Sequence, residues 1–184
     1  MTENKSPWIE YSHIWATKAA FFNYLRGALR QAVWMRWPGK VEFKNSVVDV
    51  PPEDYKGRAK TGAYCALSGE WIGKSAAEID HILGNVSLQD WEDVLPFIQH
   101  LCASKDNLQY VSRDAHKIKS YAEKQKISFE EAVAHKTAIA ICKVKKDVEW
   151  LKDKGIRPDK NGLKRRIQIV NILLEEQANE RDGT

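Results

Sequence analysis

Helical spacing runs through most of this chain and gives way, between residues 63 and 82, to two short extended stretches. Ala63 to Leu67 has strand character, and Ile72 to Ile82 gives a second run that ends in Glu78-Ile79-Asp80-His81-Ile82. Ser68-Gly69-Glu70 carries turn residues between them. The expected structure is a two-stranded hairpin with Asp80 and His81 near the end of its second strand. Neighbouring strand residues point to opposite faces, so these two side chains can do different work from adjacent positions.

The flanks read as helices. From Pro7 to Trp37, apolar residues recur at Ile14, Ala19, Phe22, Leu25, Leu29 and Val33, and Pro38-Gly39 is expected to stop the run. Arg26, Arg30 and Arg36 give it a basic face, either solvated or touching phosphates. Lys40 to Lys60 reads as irregular, with Pro51-Pro52 blocking a helix. Its basic stretch, Lys56, Arg58 and Lys60 around Gly57, is either a solvated linker or a contact to a DNA backbone. Ser87 to Cys102 reads as a helix capped by Ser87 with Asp90 and bent at Pro96. A loop at Lys105-Asp106-Asn107 and an apolar run, Leu108 to Val111, follow. Ser112 to Lys124 is a helix carrying Arg113, His116, Lys117, Lys119 and Lys124. One amphipathic helix is expected from Ser128, capped with Glu131, to Asp153, stopped near Gly155, and another from Lys160 to Glu180, with frayed ends at Glu180 to Thr184. The fold class is α+β, mostly helical, in three parts: 1–62, 63–125 and 126–184.

Composition narrows the setting. The 184 residues are 43% hydrophobic and 29% charged, and the net charge is +4. This excess of base suits a polyanionic partner without establishing one. Cys65, Cys102 and Cys142 form no C-x-x-C pair, which argues against a disulfide framework and for a reducing compartment. No apolar signal core and no uncharged span is present, so a cytoplasmic protein with no membrane partner is expected.

Three pieces carry chemistry: Glu78-Ile79-Asp80-His81-Ile82, Asp106-Asn107-Leu108-Gln109, and Arg113-Asp114-Ala115-His116-Lys117-Ile118-Lys119. On hairpin, loop and helix they form a strand-strand-helix unit in which an Asp, two His and an Asn can converge. In residue types, order and spacing, Ala63 to Lys124 resembles the HNH endonucleases, whose fold is the ββα-metal motif. Small phage-encoded HNH proteins are similar further upstream as well, with an arginine-rich helix and a Trp-Pro pair where this chain has Arg26, Arg30 and Trp37-Pro38. The helices after Ser128 lie outside the resemblance.

The resemblance implies a role for each residue. Asp80 and His116 would be metal ligands, His81 the general base, and Asn107 the brace holding the His81 segment. A metal-dependent DNA endonuclease follows, phage- or mobile-element-encoded. The chemistry agrees: phosphodiester hydrolysis needs charge absorbed at the phosphate and a base with a pKa near neutral. A carboxylate and an imidazole suit Mg²⁺ or Mn²⁺, with Ni²⁺ or Zn²⁺ as alternatives. Arg58, Lys60, Arg113, Lys117 and Lys119 are candidate phosphate contacts, against the plain reading of solvated charges. His13, His100 and His135 read as solvated or satisfied. One such module cuts one strand, so a double-strand break needs a homodimer or two nicks. A DNA-binding protein that no longer cuts, and a nuclease acting on RNA, are the alternatives.

One departure stands out. Many relatives carry two C-x-x-C pairs that hold a structural zinc. Here Cys65 is followed by Ser68, and Ser112 and Ala115 stand where the second pair would be. One sulfur cannot build a tetrahedral zinc site, so structural zinc is not expected and packing must hold the hairpin, with Trp71, Trp91 and the flanking helices as candidates.

Overall fold

The computed structural model describes residues 5–46, 48–84 and 86–182, with side chains as far as residue 180. Among these residues the chain is α+β and mostly helical, with two antiparallel sheets of two strands each. It divides into two compact units, Met1–Arg113 and Asp114–Thr184. The strands belong to the first, and the expected 63–125 module runs across the division. No described helix is long and apolar enough to cross a membrane.

The first unit opens with α1 (Pro7–Glu10) and α2 (Lys18–Ala32), then one 3-10 turn at Trp34–Arg36. The single helix expected from Pro7 to Trp37 is thus broken. Thr17 takes an extended backbone and its Oγ1 accepts from Ala20 N at 3.1 Å, a cap that starts a fresh helix. Apolar spacing continues through such a break and does not reveal it. Pro38-Gly39, expected to stop a helix, begins one: α3 (Pro38–Ser46) occupies part of the segment expected to be irregular. Proline has the right φ for a first helical residue and no N–H is needed there.

β1 (Gly62–Tyr64) and β2 (Trp71–Gly73) form the hairpin. Gly69, at φ +70°, supplies the left-handed turn, and Cys65 N donates to Glu70 O at 2.8 Å. At Gly62 a Cβ would lie 2.1 Å from the Ile72 carbonyl oxygen, so the close strand approach requires glycine. The second extended run then turns, with Ala76 N donating to Gly73 O, and β3 (Ala77–His81) leaves the hairpin. This corrects the expected placement: Asp80 and His81 lie on β3, which pairs with β4 (Leu108–Ser112). Turn signals in sequence show where a chain can bend but not which strand is its partner.

Between β3 and β4, α4 (Val94–Leu101) follows a 3-10 turn at Trp91–Asp93. Its box is Asp90 with Asp93 rather than Ser87 with Asp90: Asp90 Oδ1 accepts from Trp91 N, and Asp93 Oδ2 from Asp90 N. Pro96 sits in the first turn of α4, where it costs no backbone hydrogen bond. Phe21 and Phe22 of α2 pack with Leu88, Phe97 and Leu101 in one core. Ala63, Ala77, Ile79, Ala103, Leu108 and Tyr110 form another beneath the sheets, covered by Trp34 and Phe43. Trp71 packs on Tyr55, with ring centroids 4.4 Å apart. Trp91 instead lies on Phe21 and Phe22 and is 50% exposed, so it does not brace the hairpin.

The second unit is helical: the body of α5 (Arg113–Gln125), then α6 (Phe129–Lys143), α7 (Asp147–Asp153) and α8 (Gly162–Asp182). Ser128 and Glu131 form the expected capping box. The single helix expected from Ser128 to Asp153 breaks at Val144–Lys146, where Lys145 adopts φ +58°. Gly155, at φ +73°, ends α7. Ala134, Ala138, Leu151, Ile169 and Val170 make the core. Arg165 Nε donates to Asp147 Oδ2 at 2.6 Å and ties α8 to α7. Residues 183 and 184, part of the end expected to fray, lie outside the described residues.

Candidate active site

The β3–β4 ladder sets the site. Asp80 pairs with Gln109 and His81 with Leu108. Alternation puts Ala77, Ile79 and His81 on the buried face and Glu78 and Asp80 on the half-buried one. Gln109 Nε2 donates to Asp80 Oδ2 at 3.1 Å and to the His81 carbonyl oxygen at 3.3 Å, so one amide orients the carboxylate and the backbone beside it.

Asn107 lies just before β4. Its carbonyl oxygen accepts from Ile82 N at 2.9 Å, and its Oδ1 accepts from Leu83 N at 2.8 Å. Its Nδ2 donates to Leu83 O at 3.4 Å. Backbone and side chain of one residue therefore pin the segment that leaves His81.

His81 is 7% exposed. Its ring stacks on His100 at 4.0 Å and lies against Trp34 at 4.3 Å between centroids. Sequence reasoning set His100 aside and gave Trp34 no role. Helical spacing alone gives His100 no partner, because its contact with His81 is a tertiary one. Lys40, on the helix that replaced an expected loop, holds its Nζ 4.4 Å from the Trp34 ring centroid. Burial lowers the Lys40 pKa, the Lys44 charge lowers it further, and Glu78 opposes both. Glu78 had no assigned role either, although period-two alternation puts it on the Asp80 face.

Arg113, at the first residue of α5, is exposed and its Nε donates to Glu78 Oε1 at 3.3 Å. Arg58 and Lys60 are exposed on the loop before β1. In the second unit His116 is half-buried in the first turns of α5. Lys117 is exposed and bonds Asp114 at 2.9 Å, while the Lys119 side chain is 14% exposed and pairs with Glu123 at 3.5 Å.

Cys65 marks a corner of the first unit. Its Sγ accepts from the backbone N of Ser68 and from the backbone N of Ser112, each at 3.4 Å. Burial pushes the thiol pKa up, but hydrogen bonds from the Ser68 side chain and from the backbone of Ser112, Ser68 and Leu67 outweigh it and leave the thiol below its ordinary value.

For a divalent ion the donors are of the right kind. In the first unit the Asp80 carboxylate offers a hard oxygen held in orientation by Gln109, and in the second unit His116 carries an imidazole. Among the described residues no three His, Cys, Asp or Glu side chains gather as a group able to hold a metal ion. Comparison of the chain with known protein families, with curated proteins and with solved structures gave no match.

Proposed function

We propose that the protein is a metal-dependent endonuclease of the HNH type that hydrolyses DNA phosphodiester bonds. The observation that carries the reading is the double hold of Asn107 on the residues just past His81. It joins the Asp-His and Asn pieces of the sequence pattern, 24 residues apart between Leu83 and Asn107. The Cys65 corner supports it further: Cys65, Ser68 and Ser112 stand at positions where relatives of that family carry zinc-binding cysteines, and they meet at one sulfur.

In this reading Asp80 would hold one divalent ion, Mg²⁺ or Mn²⁺ first, with His116 as the second ligand that the resemblance implies. Such an ion, when bound, neutralises charge on the phosphate and steadies the departing oxygen. His81 takes the proton from the attacking water at an imidazole nitrogen. Trp34 and His100 fix the plane of that ring, as proton transfer in line requires. Gln109 orients Asp80, and Asn107 keeps the end of β3 in place. Arg113, Lys117, Arg58 and Lys60 contact phosphates. Lys119, largely covered, is the weakest of those candidates.

The burial of His81 favours a second reading, a protein that binds DNA through the same basic residues without cutting it. Supercoiled plasmid incubated with Mg²⁺, Mn²⁺ or Ni²⁺ separates the two. The nuclease reading expects nicked product that EDTA and Asp80→Ala abolish. Plasmid bound but uncut in every metal supports the second, and a parallel RNA substrate tests the choice of DNA.

A further inference from the structure

The loop from Pro52 to Lys60, read in sequence as a linker or a backbone contact, packs against the β1–β2 hairpin. Tyr55 N donates to Pro52 O at 3.0 Å, and the Tyr55 ring meets Trp71 edge-on, 4.4 Å between centroids and 61° between planes. A Cβ at Gly57 would lie 2.1 Å from the Tyr55 hydroxyl, and one at Gly73 would lie 2.6 Å from Ala59 Cβ. Gly73 thus lets the loop approach β2 at Ala59, and Gly57 leaves room for the Tyr55 ring within the loop.

Between loop and hairpin lies a cleft of about 590 Å³ lined by Asp54, Tyr55, Lys56, Tyr64, Glu70 and Trp71. That size suits a small molecule or a single nucleotide rather than a base-paired segment. Tyr64 points away from the core on β1 and is 55% exposed. Lys56, Arg58 and Lys60, all exposed, alternate along the adjoining loop. Aromatic faces beside a basic strip are what a single strand needs: each base offers a π face to stack, and its phosphates need cations. The Asp54 and Glu70 carboxylates add acceptors for base N–H groups.

We propose that this cleft takes an unpaired nucleotide of a DNA strand, stacked on Tyr64 beside the Tyr55–Trp71 pair, with its backbone along Lys56, Arg58 and Lys60. The inference rests on the nuclease reading for the identity of the strand, and it gives that nuclease a preference for single-stranded, frayed or flapped DNA.

The test is fluorescence anisotropy with a labelled 15-nucleotide oligo(dT), the duplex of equal length and oligo(U), in EDTA so that nothing is cut. The expected result is tighter binding of the DNA single strand than of the duplex. Tyr64→Ala weakens the single strand about tenfold, in the range of one lost base stack, leaves the duplex nearly unchanged, and Tyr64→Phe restores binding. Equal binding by wild type and Tyr64→Ala, at matched melting temperature, overturns the proposal, and tighter binding of oligo(U) overturns the choice of DNA. Plasmid cleavage measured on the same proteins keeps the readings apart. Cleavage with no effect of Tyr64→Ala on binding sinks only the cleft. Tyr64-dependent binding with no cleavage in any metal sinks only the nuclease.

Discussion

Asn107 is where sequence and structure touch most closely. Its position in the pattern suggested a brace, and the described bonds run to Ile82 and Leu83 from both its backbone and its side chain. Asn107→Ala removes the side-chain pair and leaves the backbone bond. The expected result is a fall in kcat of about tenfold to a hundredfold with KM little changed, because a base displaced by a fraction of an ångström loses alignment before substrate loses affinity. Steady-state cleavage kinetics check this. Asp80, His81 and Asn107 stood out in the sequence because their types and order resemble a known pattern. Trp34, His100 and Gln109 were not, because each reaches the site through tertiary packing or strand register: Gln109 faces Asp80 only once β3 and β4 pair. The burial of His81 is of the same kind, since alternation along β3 says which residues share a face but not which face lies inside.

At the level of elements, helical spacing marked the long helices but neither their breaks, nor the helix at Pro38–Ser46, nor the partner of β3. A 3.6-residue period persists across Thr17 and across Val144–Lys146, so two helices were read as one in both places. The cap at Ser128 was legible because its chemistry is local; Ser128→Ala is expected to cost about 1 kcal/mol in a thermal or urea melt. The clamp between α7 and α8 is not local. The Arg165 hydrogen bond, against some opposing burial, holds the Asp147 carboxyl below its usual 3.8. A depressed carboxyl contributes stability in full above its unfolded pKa and loses it as pH falls through the lower folded value. Arg165→Met is therefore expected to cost on the order of 2–3 kcal/mol at neutral pH, between an exposed and a buried pair, and less as the medium is acidified below about pH 4. Urea titrations at pH 7 and pH 3 read the difference. The β1–β4 corner offers another test. Ser68→Cys with Ser112→Cys brings two more sulfurs to Cys65, and the variant is expected to bind Co²⁺ with thiolate charge-transfer absorbance that the natural chain does not show.

Across the whole molecule, a net charge of +4 is modest, and basic residues occur in both units. DNA affinity on this account is built from a few phosphate contacts and falls steeply with salt. Composition alone set that bound, and it says nothing about cutting. The claim on which the rest depends is that His81, held between Trp34 and His100, moves a proton in phosphodiester cleavage. The measurement is the single-turnover rate of nicking of a supercoiled plasmid in Mn²⁺ by wild type and by His81→Ala, both shown folded by their melting curves. The account predicts cleavage by wild type and a rate lower by a factor of about 100 or more in the variant, the contribution of a general base. Equal rates in the two proteins, or no cleavage by wild type in Mn²⁺, Mg²⁺ or Ni²⁺, would contradict it.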